Sequence, residues 1–316
     1  MADNQTPGNR FLALHHQEAP LLLPNPWDPG SARLLASMGF LALATTSGGF
    51  AATLGRVDGS VSRTEALDHS GAIVAATDLP VSADLENGFA GDPAEVAETV
   101  RLAAATGLAG CSIEDFTGRS EAPIYDLGLA TERVAAAADG AHQGADRLVL
   151  TARAENHLHG RQDLADTIAR LQAFQEAGAD VRYAPGLSAL DDLRTVVSSV
   201  DRPVNVLALP GAPTVSELAA IGVRRVSVGG AFALAALGAA AQAARELLDH
   251  GTYGFWDQAG VGLRAVHEAF GGGVALVDGA ARTIGEGRGC WLQTEGASSS
   301  NAAATISPSR ERVPSS

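Results

Sequence analysis

Cysteine is nearly absent from these 316 residues: only Cys111 and Cys290 occur. Two cysteines so far apart make no disulfide framework and fit no zinc-ligand spacing, a usage compatible with a reducing compartment. Basic residues are also few. With 22 Lys and Arg against 36 Asp and Glu the formal charge is −14, and a chain with no basic footprint is a poor partner for nucleic acid phosphates. No uninterrupted apolar run reaches the roughly 18 residues of a membrane span. The opening MADNQTPGNRF has neither the basic nor the apolar region of a secretion signal. The expectation is a soluble cytoplasmic protein, with neither nucleic acid nor membrane as partner.

What the chain does have is core-forming material, 46% hydrophobic residues against 18% charged. Its length suits one large α/β domain or two ordinary ones. After a short leading helix around Asn9 to Gln17, one unit recurs: a brief apolar run, a polar or Gly/Pro loop, then an amphipathic Ala/Leu-rich segment. The strand candidates are Leu21 to Leu23, Phe40 to Ala44, Val81 to Ala83, Gly110 to Ile113, Leu148 to Thr151, Asp180 to Tyr183, Val204 to Leu207 and Arg225 to Val228. Helical patterns follow each of them, with start signals such as Asp92 before Pro93 and Thr214 three residues before Glu217, and with Gly107, Gly178 and Gly222 as stops. Eight βα units are the pattern of a TIM (β/α)8 barrel. A doubly wound sheet is less favoured, because no Gly-rich dinucleotide turn follows the first strand. Beyond Gly251, Tyr253, Phe255, Trp256, Leu263, Val266 and Phe270 suggest one or two extra C-terminal helices whose apolar face docks on another subunit. Residues 1–270 thus read as a barrel with a helical extension, and 271–316, rich in Gly, Ser and Ala, as a poorly ordered tail.

In such a barrel chemistry sits at the C-terminal ends of the strands. Here those ends carry acids: Asp84 and Glu86 after the third strand, Glu114 and Asp115 after the fourth, with Asp58 in the second loop. A strand apolar enough to lie inside a sheet does not end in such a cluster unless a cation, a basic partner or solvent compensates it, and a cation is the leading reading. Glu114 and Asp115, being adjacent, point oppositely on a strand. Glu114 is assigned to the interior and Asp115 to a structural role. By the same alternation Cys111 faces the helices, where a thiol is buried and inert. His157 and His159 offer an H-x-H pair, weak evidence for any functional role, among which a substrate contact at the mouth ranks ahead of a metal site. His15 and His16 are expected to face solvent. Gly229 and Gly230 suit a phosphate site or close packing, and packing is preferred.

The segments LPNPWDPGSARLLASMGF, TTSGGFAATLGRVDG, PVSADLENGF, GCSIED and LTARAEN, in this order and spacing, resemble the isocitrate lyase and phosphoenolpyruvate mutase superfamily over about Phe11 to Phe255. The resemblance implies a TIM barrel whose eighth helix is swapped in a homodimer or homotetramer. It also implies magnesium, with manganese as a substitute, and a small 2-oxo or 2-hydroxy carboxylate handled through an enolate. Carried over by position, Ser47 and Gly48 donate to the substrate's oxygens, and Asp58, Asp84, Glu86 and Glu114 surround the metal, with Asp84 the direct ligand. Arg153 grips the substrate carboxylate. Trp27 and Asn156, at the ends of the first and fifth strands, are further candidate substrate contacts.

One departure is plain. The family's lyases carry Lys-Lys-Cys-Gly on the loop after the fourth strand, its cysteine serving as general acid. The loop here reads FTGRSEAPIYDLG, without the mutases' lysine and asparagine pattern either. Arg119, Glu121, Tyr125 and Asp126 are what this loop offers, with Arg119 and Tyr125 carried forward as catalytic candidates. The expected activity is carbon-carbon lysis or hydrolysis, like an isocitrate or methylisocitrate lyase or an oxaloacetate hydrolase. The alternatives are phosphorus-carbon chemistry, like phosphoenolpyruvate mutase or carboxyphosphonoenolpyruvate mutase, and a non-catalytic metal-dependent carboxylate-binding barrel.

Overall fold

A computed structural model describes residues 6–143 and 147–271. The eight strands are β1 (Leu21–Leu23), β2 (Leu43–Ala44), β3 (Val81–Asp84), β4 (Gly110–Glu114), β5 (Val149–Arg153), β6 (Val181–Tyr183), β7 (Val204–Leu207) and β8 (Arg225–Ser227). All pair in parallel, in the order β1-β8-β7-β6-β5-β4-β3-β2. The remaining seam, between β1 and β2, is bridged by the Ala44 N–H donating to the Pro24 carbonyl at 3.1 Å. The Asn25 side chain then donates to the Thr45 carbonyl at 2.9 Å and accepts from the Val228 and Gly229 N–H groups at 3.1 and 2.9 Å. One asparagine therefore ties β1, β2 and β8 together, and the molecule is a (β/α)8 barrel. The Gly229 N–H is thus already bonded, and a Cβ there would stand 3.3 Å from a Leu207 methyl, whereas Gly230 has no neighbour closer than 3.7 Å to an added Cβ.

The helices are α1 (Pro7–Leu14), α2 (Pro29–Ser37), α3 (Ser47–Thr53), α4 (Arg63–Val74), α5 (Pro93–Ala104), α6 (Leu127–His142), α7 (Leu164–Glu176), α8 (Leu190–Ser198), α9 (Val215–Ala220), α10 (Ala231–His250) and α11 (Trp256–Phe270). Their starts follow the sequence signals: Thr6, Asp28 and Asp92 cap helices that open on Pro7, Pro29 and Pro93. Gly107 and Gly178, at φ +86° and +104°, turn the chain out of α5 and α7 in a conformation that L side chains rarely adopt. The second strand is shorter than expected. The turn at Gly39 carries into the stretch before Leu43, leaving Leu41 half exposed.

The main core lies between strands and helices and includes Cys111, Ile113, Leu150, Leu171 and Phe174. A second cluster fills the barrel's lower interior, where Phe11 of α1 meets Leu21, Leu23, Ala42, Ala109, Val149 and Val181. Full burial of Phe11 contributes about 2–3 kcal/mol. Gly110 is required beneath it, since a Cβ there would stand 2.8 Å from the Phe11 ring. α1 is thus a plug, which overturns the expectation for His15. Its side chain is buried, its Nδ1 lies 2.8 Å from the Phe11 carbonyl, and burial together with the neighbouring Arg225 lowers its pKa to about 3. His16 is exposed.

α10 leaves its own barrel uncovered. Only Ala233 of its 20 residues is buried, and Leu22 on the outer face of β1 stays 42% exposed. By length and composition α10 equals a membrane span, although Gln242, Arg245 and Glu246 interrupt it. α11 lies against α2 and buries none of its residues fully. The expected tail 271–316, with Cys290, lies outside the described residues apart from Gly271.

Candidate active site

Side chains at the C-terminal ends of the strands surround a cavity of about 490 Å³. Asp84 is its hub. The strand register sets Asp84 beside Ser112, and Glu114 beside Arg153. The Asp84 N–H donates to Thr45 Oγ1 at 2.9 Å, which fixes the residue against β2. The carboxylate accepts from the Ser47 N–H at 3.4 Å and from Arg153 Nη1 at 2.9 Å. Ser47 and Gly48 open α3, a short helix that forms although it contains two glycines, which disfavour helix. Thr46 caps it by accepting from the Gly49 N–H at 3.2 Å. Gly49 is there for packing: a Cβ would meet the Thr46 methyl at 2.5 Å. Gly48 lies against Asp58, whose Oδ2 would be 3.1 Å from an added Cβ, so glycine lets the Asp58 loop close over the site.

Arg153 is surrounded by acids. Its guanidinium contacts Asp84, Glu114 and Glu155 at 2.9, 2.9 and 2.8 Å. Burial opposes its charge, but Glu114, Glu155 and Asp84 outweigh burial and hold its pKa above the usual arginine range. Burial is also the main force that raises the Glu114 pKa well above that of an ordinary carboxylate. Glu86 shows the same strain. Burial, then Asp84 and Asp58, push its pKa up to about 7, its Oε1 is buried without a hydrogen-bond partner, and its backbone adopts φ +48°, uncommon for a residue other than glycine. One guanidinium facing this many carboxylates leaves surplus negative charge and an orphaned acceptor, which a divalent cation would satisfy. Among the described residues no three His, Cys, Asp or Glu side chains converge as a direct cage. Magnesium, which keeps several waters and takes one or two carboxylates, fits this donor set. Asp84 would hold it, with Glu86, Asp58 and Glu114 acting through water.

Six of the candidate residues do not line the cavity: Glu86 and Glu114, which stand behind it beside Asp84 and Arg153, and four that lie farther from Asp84. The Asn156 side chain is buried and donates to Asp166 Oδ2 at 2.6 Å. Trp27 lies behind α3, its carbonyl 3.0 Å from His69 Nε2. The Tyr125 ring is covered by the Arg133 guanidinium, 4.2 Å from its centroid. Arg119 is exposed on the loop after β4, which is held as a narrow hairpin by the Phe116–Ile124 bridge and the Thr117 N–H donating to Pro123 O. Trp27, Asn156, Arg119 and Tyr125 thus stand away from the Asp84 cavity in this conformation. His157 and His159 do not converge: His157 Nδ1 lies 3.1 Å from Gln162 Oε1, and His159 stacks on Phe116. Asp115 is structural, accepting from the Glu155 N–H at 2.8 Å and from Arg170 at 3.0 Å. Cys111 is buried, which pushes its thiol up to about 12.

Glu155, at the end of the fifth strand, holds Arg153, and the structure adds Tyr183, Asn205, Ser227 and Arg225 in the cavity wall. Burial raises the Tyr183 phenol to about 12. The available signal was a polar residue at every second position of an apolar run, as in Arg225 and Ser227.

The family profile for phosphoenolpyruvate phosphomutase matches residues 11–248. The chain belongs to this family. Over 240 residues it is 35% identical to an uncharacterized protein of Mycobacterium tuberculosis, covering 76% of this chain and 89% of that one. It is 31% identical over 210 residues to an oxaloacetate decarboxylase of a Bradyrhizobium species, covering 64% and 70% of the two chains. A crystal structure of a protein described as a lyase/mutase from Burkholderia cenocepacia superposes with a TM-score of 0.77 at 54% identity, covering 78% of this chain and 90% of that one. The phosphoenolpyruvate mutase family is a family of lyases and mutases, and the barrel described above is its fold.

Proposed function

We propose that this family member is a magnesium-dependent enzyme that cleaves a carbon-carbon bond of a small 2-oxo or 2-hydroxy carboxylate, with negative charge developing as an enolate. The observation that carries the reading is the Asp84 centre: a surplus of largely buried carboxylates around one guanidinium, with Glu86 Oε1 unpartnered. The bound cation would supply positive charge against the enolate oxygen. The chain's own groups do the rest. Ser47 and Gly48 present N–H donors at the start of α3, beside Asp84, where a substrate oxygen would sit. Arg153, whose protonation the flanking acids enforce, offers a fixed charge to a substrate carboxylate. Glu155 and Glu114 hold that guanidinium in place. The similarity to an oxaloacetate decarboxylase supports bond cleavage beside a carboxylate over phosphorus-carbon rearrangement.

The uncovered α10 and bare Leu22 support a homo-oligomer in which α10 of each chain covers a neighbouring barrel. A cytoplasmic location is proposed on the sparse cysteine usage alone, which suits a reducing compartment.

The test is product analysis with magnesium. Oxaloacetate and 2-methylisocitrate are supplied separately and pyruvate release is followed by coupled reduction. Magnesium-dependent pyruvate release that is lost with Asp84→Asn is the expected result. Conversion of 3-phosphonopyruvate to phosphoenolpyruvate, seen by phosphorus NMR without pyruvate release from either acid, would replace cleavage by the mutase reaction.

A further inference from the structure

The interior of this barrel holds a second guanidinium whose environment is the opposite of that of Arg153. Arg225 is buried on β8, one alternation below Ser227, and lines the cavity. Its Nε donates to Asn205 Oδ1 at 2.9 Å and its Nη1 to Thr151 Oγ1 at 3.0 Å, both neutral acceptors. From below, His15 Nε2 stands 3.4 Å from Nη1. With His15 Nδ1 bonded to the Phe11 carbonyl and the ring held neutral, Nε2 is an acceptor and props the guanidinium from the plug. Among the described residues no carboxylate pairs with Arg225, and no protein acceptor takes a hydrogen bond from its Nη2. Tyr183 and Arg153 are the ionisable groups that act on it.

A buried guanidinium without an anionic partner is costly, because desolvation is not repaid. The residues opposite it are small: Gly110, Ser82, Ser112 and Ala44 occupy barrel positions usually filled by branched apolar side chains, and three of them line the cavity. The space under Asp84 and Arg153 therefore continues down to a preoriented, unneutralised cation. We propose that Arg225, propped by His15, is a specificity-determining residue that receives the substrate's second acid group, a carboxylate or phosphonate, at the floor of the barrel. This assignment rests on the reading of the Asp84 centre as the site that takes the first carboxylate. It gives the substrate a direction: the 2-oxo acid end lies at the mouth and the far acid points toward α1.

The experiment is calorimetric titration of the full chain with magnesium and three probes: pyruvate, with one acid group, and oxaloacetate and 3-phosphonopyruvate, each with two. The wild type is expected to bind at least one of the two diacids tenfold or more tightly than pyruvate. Arg225→Gln is expected to erase that preference while changing pyruvate affinity by less than about twofold, a split that loss of structure alone does not produce. Arg225→Lys, which keeps the charge and loses the fork, is expected to recover part of it. Preference for oxaloacetate alone assigns a carboxylate to the floor, and preference for phosphonopyruvate alone a phosphonate. Diacids that bind the wild type no tighter than pyruvate overturn the proposal without recourse to any variant. So does a folded Arg225→Gln protein in which all three probes weaken alike or none changes. If the wild type binds none of the three with magnesium, the Asp84 centre itself is misread and both proposals fall together.

Discussion

Acid should unfold this protein partly through one histidine that no catalytic step uses. His15 is buried between Phe11 and Arg225, its ring proton given to the Phe11 carbonyl, and burial first, then Arg225, holds its pKa at about 3. His16, the next residue, adds to the depression, and Asp180 opposes it weakly. A depressed histidine pKa means that the unfolded chain binds the proton and the folded chain does not. Its contribution is therefore full above the unfolded value of about 6.5 and is lost as pH falls from there toward 3. Between pH 7.5 and pH 5 the linkage amounts to about 2 kcal/mol, the unfolded histidine being almost fully protonated at the lower value and the folded one hardly at all. Equilibrium urea unfolding at both pH values, on wild type and His15→Gln, isolates this contribution, because every other titrating group is common to the two proteins. The variant is less stable at pH 7.5 but loses about 2 kcal/mol less on acidification. Equal losses in the two proteins would refute the burial of a neutral imidazole at this position and, with it, the description of α1 as a plug.

Two further outcomes follow from the packing. Arg170, 2% exposed, bonds Asp115, Asp166 and the Tyr125 carbonyl, so Arg170→Met leaves the buried Asp115 carboxylate without its cation and should cost about 3–5 kcal/mol by urea unfolding. A loss below about 1 kcal/mol would contradict the ion-pair account of how the loops after β4 and β5 are held. On the outer side, light scattering should find the wild type as a dimer or tetramer and the double variant Leu237→Asp, Leu248→Asp as a monomer, since both leucines are exposed on the unpartnered α10. A monomeric wild type would contradict helix exchange.

The barrel was legible because its signal is repeated: short apolar runs, capped helices and glycine stops recur in register, so an error in one unit does not alter the count. Errors fell where tertiary contacts override local preference. α3 formed despite Gly48 and Gly49 because Thr46 caps it and the close approach of Thr46 and Ala233 leaves no room for a Cβ at Gly49. His15 was misplaced because the helical pattern of α1 cannot reveal that it closes a barrel end. The acids of the site were visible as polar residues ending apolar strands. Arg225 was not, since in RRVSV it reads as the charged edge of a strand, and only closure of the sheet turns it inward. The roles given to Trp27, Asn156, Arg119 and Tyr125 depended on loop paths, which Asp166, His69, Arg133 and the Phe116–Ile124 bridge decide.

The central claim is that the Asp84 centre stabilises an enolate, and exchange of the pyruvate methyl protons in heavy water tests it without knowledge of the true substrate. Proton NMR would follow the methyl signal with magnesium, with chelator, and with Asp84→Asn. The account predicts magnesium-dependent loss of the signal that chelator and the substitution both abolish. Exchange that persists unchanged in Asp84→Asn, or that ignores chelator, would contradict it.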